Sequence, residues 1–400
     1  MNANLERLVA IARKDTRRIV GLMSGTSLDG LDTALCAVRG HGGDTTVQIE
    51  HFLTVPYTDD IKNEIRSVFA KRQVDFQHLC LLNAYIGRMH GQMVSDALTA
   101  WGLRATDVDI VASHGQTVMH APRSLHGNPK FPNATLQIGD GDHVAVTSGI
   151  ITLSDFRQKH IAAGGEGAPL AVYGDFFVFS KRGEHRLMLN MGGIANFTYL
   201  PGTLNAAEVF TTDTGPGNTL LDAWAREAFG VPYDADGRIA RSGHVDAALL
   251  LALNDHPFFA APFPKTTGPE LFNLEYVAVA ATRCGHALLQ LPPNDVMATL
   301  AQFSADTIAD AVVRACKPHD DYAVFMSGGG AHNPTLVSAI TKLLPRCTMR
   351  RTDDLGIAGD AKEALLFAVL ANEALVGDVT SFGDRQGVPS VSMGKVSFPQ

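Results

Sequence analysis

Apolar and polar positions along this chain switch between two periods, and the switches divide it into elements. Two apolar runs near the start, residues 18–23 (RIVGLM) and 33–38 (TALCAV), predict strands. Residues 60–103 repeat apolar positions at helical spacing, while VDIVAS (108–113) and IITLSD (150–155) read as short buried strands. The first 155 residues therefore alternate β and α, as a mixed or parallel sheet with packed helices requires. The glycine-rich interval 156–170 (FRQKHIAAGGEGAPL) reads as a boundary or an active-site loop.

The second half repeats the device. HRLMLNMGGIANFTYL (185–200) predicts strand, tight glycine turn, strand; residues 207–230 predict a strand, a Gly-Pro-Gly turn and a helix. Asn218 or Thr219 suits the N-cap of that helix and Gly230 its stop. Residues 321–344 give a strand, three glycines and a helix, and a last helix spans 361–376, before a less defined tail at 378–400. Two α/β domains follow: residues 1–155 with part of the C-terminal tail, and residues 156–385. Residues 1–18 read as a short amphipathic helix or a ragged extension, with an apolar run too short for a secretory signal.

Composition narrows the classes. The 400 residues suit two domains, and 46% hydrophobic with 18% charged residues describes a well-packed globular chain. A net charge of −8 without a basic stripe speaks against nucleic acid as a partner. Five scattered cysteines without a CxxC pair suggest reduced thiols, and no apolar run of about 18 residues is visible, so a membrane is not an expected partner and the cytoplasm is the expected location.

Four glycine-rich turns follow apolar strands, at 21–30, 191–193, 214–217 and 328–330. Glycine lets backbone N–H groups converge on an anion, so turns gathered in this way point to phosphate. The chain has no GxxxxGK[ST], no GxGxxG opening a helix after the first strand, and no protein-kinase motif set. Phosphate turns on hairpins in two similar halves instead resemble the actin-like ATPase fold, an α/β fold of two lobes with ATP in the cleft between them.

A closer resemblance rests on GLMSGTSLDGLD (21–32), SHGQT (113–117), QIGDG (137–141), DFR (155–157) with AAGGEGAPL (162–170), and NMGGIAN (190–196). DTGPGN with LLDAW (213–224), KTTGPELFN (265–273), SGGGAHN (327–333) and EALLFAVLA (363–371) complete it. In this order and over roughly residues 19–375, the blocks resemble the bacterial anhydro-N-acetylmuramic acid kinases. That resemblance implies an ATP-dependent sugar kinase that opens the 1,6-anhydro ring with water and phosphorylates O6, serving peptidoglycan recycling. It also implies magnesium as the companion of ATP and a homodimer as the assembly.

The resemblance further implies roles for particular residues. Gly25, Thr26, Ser27, Leu28, Asp29, Gly30, Leu31 and Asp32 would form the phosphate-binding loop. Asn190, Gly192, Gly193 and Gly217 would also meet the nucleotide, and Gly328, Gly329 and Gly330 would pass its adenosine. Asp213 would be the catalytic base, with Glu363 orienting the water or the base. His114, Gln116, Asp155 and Arg157 are sugar-site candidates; Arg157 suits a lactyl carboxylate, and an Asp155–Arg157 pair is the competing role. Which carboxylate organises the magnesium is left open between Asp29 and Asp32. A levoglucosan-type kinase and a regulatory ATPase of the same fold are the rival readings.

Overall fold

The computed structural model describes residues 2–168, 170–316, 320–357, 361–383 and 387–399. The chain separates into two units, Met1–Phe179 with Gly356–Gln400, and Ser180–Leu355. The expected boundaries at 155 and 385 therefore move. The Ala171–Phe179 and Lys362–Val376 helices belong with the first unit, the latter because it packs on that unit's β1, β2 and β4.

The first unit is built on a sheet of seven strands: β1 (Thr16–Ser24), β2 (Gly30–Arg39), β3 (Thr46–Pro56), β4 (Ile110–Ala121), β5 (Ala134–Ile138), β6 (Thr152–Ser154) and a late strand, Lys395–Ser397. β1, β4 and β6 run parallel; β2 and β3 continue antiparallel from β1, β5 pairs antiparallel with β4, and the late strand pairs antiparallel with β6. Strand alternation sorts the two faces. Val20, Leu22, Leu35 and Val111 join Ile86, Val94 and Leu98 of the Phe76–Ala100 helix and Val144 of the Gly141–Ser148 helix in one core. Gly21 lies under the Lys362–Val376 helix, and a Cβ there would stand 1.9 Å from the Ala364 carbonyl oxygen. Only glycine permits so close an approach of helix to strand.

The second unit holds β7 (His185–Met191), β8 (Ile194–Leu200), β9 (Phe210–Pro216), β10 (Tyr322–Ser327) and β11 (Cys347–Arg351). Its order β11-β10-β7-β8-β9 repeats the arrangement β6-β4-β1-β2-β3 of the first unit, with the same two antiparallel and two parallel pairings. The late strand of the first unit is β12 in chain order. The chain thus contains one topology twice, and in each copy the first two strands form the glycine hairpin that the sequence predicts.

Three elements change the sequence reading or decide between its alternatives. Residues 156–170 are not all loop, since Phe156–Ala162 is a helix with Phe156 and His160 buried. The N-terminal segment is a helix, Ala3–Ala12, capped by Asn2, whose side chain accepts from the Asn4 N–H at 2.9 Å. Among the described residues the Pro293–Ala315 helix is long and apolar enough to cross a membrane, yet 78% of its apolar window is buried against its neighbours. A helix apolar on most faces is what the core of a large unit needs.

Candidate active site

In the first unit the carboxyl ends of the parallel strands carry the predicted residues. β1 ends at Ser24, and the loop itself is residues 25–29, with Thr26, Ser27 and Asp29 exposed. Leu28 takes a left-handed φ of 61° and is buried, so the loop is exposed through its neighbours. Gly30, Leu31 and Asp32 lie outside the loop, within β2 opposite Pro56, Val55 and Thr54. Asp32 accepts a 2.6 Å hydrogen bond from Thr54 Oγ1.

A buried hydrogen-bond chain stands under this loop. The Ser24 hydroxyl donates to Gln116 Oε1, the Tyr57 hydroxyl donates to Ser24 Oγ at 2.8 Å, and His90 Nε2 lies 2.7 Å from the same phenol. With the phenol proton committed to Ser24, His90 Nε2 is the donor at that end. Burial pushes His90 down to about 4, so the ring is neutral near pH 7. Gln116 then donates to the carbonyls of Gly25 at 3.3 Å and Thr117 at 3.1 Å. Gln116 is fully buried and both ends of its amide are occupied, so it braces the loop and does not face a sugar.

His114, Asp155 and Arg157 come together without the expected Asp155–Arg157 pair. Arg157 Nε donates to His114 Nε2 at 2.9 Å, and its Nη1 donates to the Gly167 carbonyl at 2.7 Å. Burial and the neighbouring guanidinium push His114 down to about 3, which keeps Nε2 an acceptor. Asp155, at a left-handed φ of 59°, pairs with Lys395. Gly167 pins the glycine-rich segment from both sides, since its N–H donates to His160 Nδ1 at 2.9 Å.

Two cavities flank this group. One of about 610 Å³ is lined by Ser113, His114, Gln137, Asp140, Asp142 and Asp155 among others. The other, about 290 Å³, is lined by Met23, Arg157, Asp175, Lys362 and Glu363 with apolar neighbours. Glu363, exposed in the first turn of its helix, partly offsets the lowering that burial imposes on the Arg157 guanidinium.

In the second unit, Asp213 sits at a β-bulge. Asn196 pairs with Asp213 and Ala195 with Gly215, leaving Thr214 as the extra residue. Bulges re-aim side chains next to functional sites. The Asp213 carboxylate accepts from the Thr267 N–H at 2.9 Å, and its backbone N–H donates to the Lys265 carbonyl at 2.9 Å. Burial raises the Asp213 carboxyl above the usual aspartate range; the Thr267 N–H pulls it back and Glu270 pushes it further up. Sequence reasoning missed Thr267, Lys265 and Glu270 as partners, although KTTGPELFN was itself conspicuous.

Three glycine turns converge beside it. The N–H groups of Gly217 and Asn218 donate to the carbonyls of Gly193 and Gly192, both at 2.8 Å, and that of Thr219 donates to Gly193 at 3.0 Å. The amides at this helix start, expected to greet an anion, are thus taken by the protein's own turn. Asn218 caps by position but not by side chain; its amide crosses to the Met191 carbonyl at 2.9 Å. Gly328, at φ +80°, rests against Asn190 and Met191, and Gly330 against Met191. The Asn190–Gly193 turn is exposed apart from Met191 and the half-buried Gly192. A cavity of about 550 Å³ opens here, lined by Asn218, Asp222, Tyr233, Gly329, His332 and Asn333 among others. That is room for a nucleoside beside glycine backbone.

A twice-folded five-strand arrangement, with glycine turns at the carboxyl ends of its parallel strands, defines the actin-like ATPase and sugar-kinase class. Within that class the chain belongs to the anhydro-N-acetylmuramic acid kinase family, whose description matches residues 17–393. It is 55% identical to the anhydro-N-acetylmuramic acid kinase of Pseudoalteromonas atlantica, over 100% of both chains. It is 48% identical to that of Pseudoalteromonas translucida, again over 100% of both. Among solved structures, an activator of the 2-hydroxyisocaproyl-CoA dehydratase from Clostridium difficile with bound ADPNP matches at 14% identity, covering 90% of this chain and 96% of that one, with a TM-score of 0.38.

Proposed function

We infer that this chain is an ATP-dependent kinase that hydrolytically opens 1,6-anhydro-N-acetylmuramic acid and phosphorylates its O6, releasing N-acetylmuramate 6-phosphate and ADP. The observation that carries the reading, given the family, is the Asp213 carboxylate. It is half-buried at a bulge, tuned upward by burial, and held by a single backbone N–H on one oxygen. Among the described residues the other oxygen accepts no hydrogen bond, which suits it to take a proton from water.

The chemistry follows from that atom. As Asp213 accepts the proton, the water oxygen bonds to the anomeric carbon and the bond from that carbon to O6 breaks. O6 takes the γ-phosphoryl group of ATP as it departs, and ADP leaves. One carboxylate therefore serves where ordinary glycosidases use two. The Gly25–Asp29 loop, where Thr26, Ser27 and Asp29 are exposed, suits the phosphates. The turns at Asn190–Gly193 and Gly328–Gly330 suit the adenosine half. His114, Asp155 and Arg157 are the sugar-facing set, with Glu363 beside Arg157.

Magnesium supplies charge neutralisation to the phosphates when bound. Asp29 is the residue that fits it: its carboxylate is exposed on the loop, whereas Asp32 is engaged by Thr54. The five free cysteines agree with a reducing cytoplasm, and a homodimer is the assembly the family resemblance implies.

The test is ADP release with magnesium and ATP over 1,6-anhydro-N-acetylmuramate, levoglucosan and N-acetylmuramate, with the product's mass recorded. A product that gains one phosphoryl group and one water from the first sugar is the expected result. Turnover of levoglucosan alone would move the substrate, and turnover of none with ATP still bound would return the regulatory ATPase.

A further inference from the structure

Lys265 is a lysine where the fold has every reason to place an apolar residue. It is 8% exposed, and its ammonium lies 4.3 Å from the ring centre of Phe258, 5.6 Å from that of Phe263 and 5.8 Å from that of Phe259. Removing a cation from water is costly, a cost that methionine in the same cage would not carry. What methionine could not do is hold backbone. The Lys265 ammonium donates to the carbonyls of Phe258 at 2.9 Å and Phe259 at 3.0 Å. From the Pro293–Ala315 helix, Arg314 joins it by donating to the Phe259 and Ala261 carbonyls.

The backbone of the same lysine runs alongside the candidate base. Its carbonyl accepts the Asp213 N–H at 2.9 Å and its N–H donates to Thr212 Oγ1 at 3.0 Å. Two residues on, the Thr267 N–H reaches the Asp213 carboxylate. The side chain thus fixes one end of a segment whose other end fixes the reacting group.

We propose that Lys265 is a positioning residue for Asp213, its buried ammonium setting the path of residues 258–267 so that the Thr267 N–H stays aimed at the carboxylate. This rests on the reading of Asp213 as the base. The charged groups that bear on the two sites are Arg314 and Asp310 at Lys265, and Glu270 at Asp213.

The experiment compares Lys265→Met, Lys265→Arg and Lys265→Gln in the full chain, by steady-state rates with ATP and 1,6-anhydro-N-acetylmuramate across pH. Lys265→Met is expected to lose on the order of 10²-fold in kcat, the scale of a small misplacement of a reacting group, with KM for ATP unchanged. The acid limb of its kcat/KM profile should move to higher pH, because Asp213 loses the N–H that favours its ionised form. Lys265→Arg should recover part of kcat and return the limb towards its starting place. A folded Lys265→Met enzyme with unchanged kcat and an unmoved limb would overturn the proposal. If Lys265→Met does not fold, Lys265→Gln, which is one atom shorter and drops the ammonium that serves both carbonyls, carries the same pH comparison: a limb displaced upward supports the proposal, and an unmoved one defeats it. Asp213→Asn separates the two readings. Activity surviving in that variant removes the base itself, whereas a dead Asp213→Asn beside a normal Lys265→Met removes only the positioning role.

Discussion

Replacing Tyr57 by Phe removes one oxygen from the chain His90–Tyr57–Ser24–Gln116 and leaves the rest of the ring in place. Two buried groups lose a partner: the His90 Nε2 donor, 2.7 Å away, and the Ser24 hydroxyl oxygen, 2.8 Å away. His90 is 0% and Ser24 1% exposed, so water does not replace the phenol. Each orphaned buried group costs about 1–3 kcal/mol, giving roughly 2–4 kcal/mol for the pair once relaxation is allowed. For a unit of this size each kcal/mol moves the melting point by about 2–4 °C, so the first unit should melt roughly 5–15 °C lower. Urea unfolding followed by fluorescence reads the same loss as a shifted midpoint. The loop should feel it too, because Gln116 braces the Gly25 carbonyl, and KM for ATP should rise. The double variant Tyr57→Phe/His90→Leu should regain at least about 1 kcal/mol by removing the stranded imidazole. A Tyr57→Phe protein within about 0.5 kcal/mol of the parent, with KM for ATP unmoved, would refute the idea that this chain supports the loop.

Other expectations are simpler to state. Asp213→Asn should lower kcat by on the order of 10²–10⁴-fold while calorimetry still detects ATP binding. Glu270→Gln removes the charge that pushes the Asp213 carboxyl up, so the acid limb of kcat/KM should move to lower pH; a move upward would contradict the assignment. Gly328→Ala meets both a φ of +80° and a Cβ position 2.6 Å from Asn190 Oδ1. It should destabilise the second unit by about 1–3 kcal/mol, read by thermal melting, and weaken nucleotide binding, read by titration.

The hairpins were legible because strand period and glycine placement coincide there, as at 21–38 and 185–200. Asp213 stood out as a candidate for the same kind of reason, an acid at the end of a strand before a Gly-Pro-Gly turn. Its supports did not. Thr267 and Lys265 lie more than fifty residues downstream, and only the folded chain sets that segment beside β9. Gln116 misled for the opposite reason: a polar residue at a strand end looks like a ligand contact, and burial makes it a brace. The domain boundary at 155 failed because residues 156–179 and 362–376 carry no local mark of the unit they join.

The first unit is assembled from two stretches of chain with the whole of the second unit between them. During synthesis, β1 and β4 leave the ribosome long before the Lys362–Val376 helix that lies over Gly21. Until then one face of that sheet, including Ile19, has no lid, whereas Ser180–Leu355 is continuous and can fold as soon as it is made. The half that carries the Gly25–Asp29 loop is therefore the last to become native. In the interval it is a bare apolar sheet face, the kind of surface that chaperones hold, and any delay in translating residues 356–400 would lengthen that exposure.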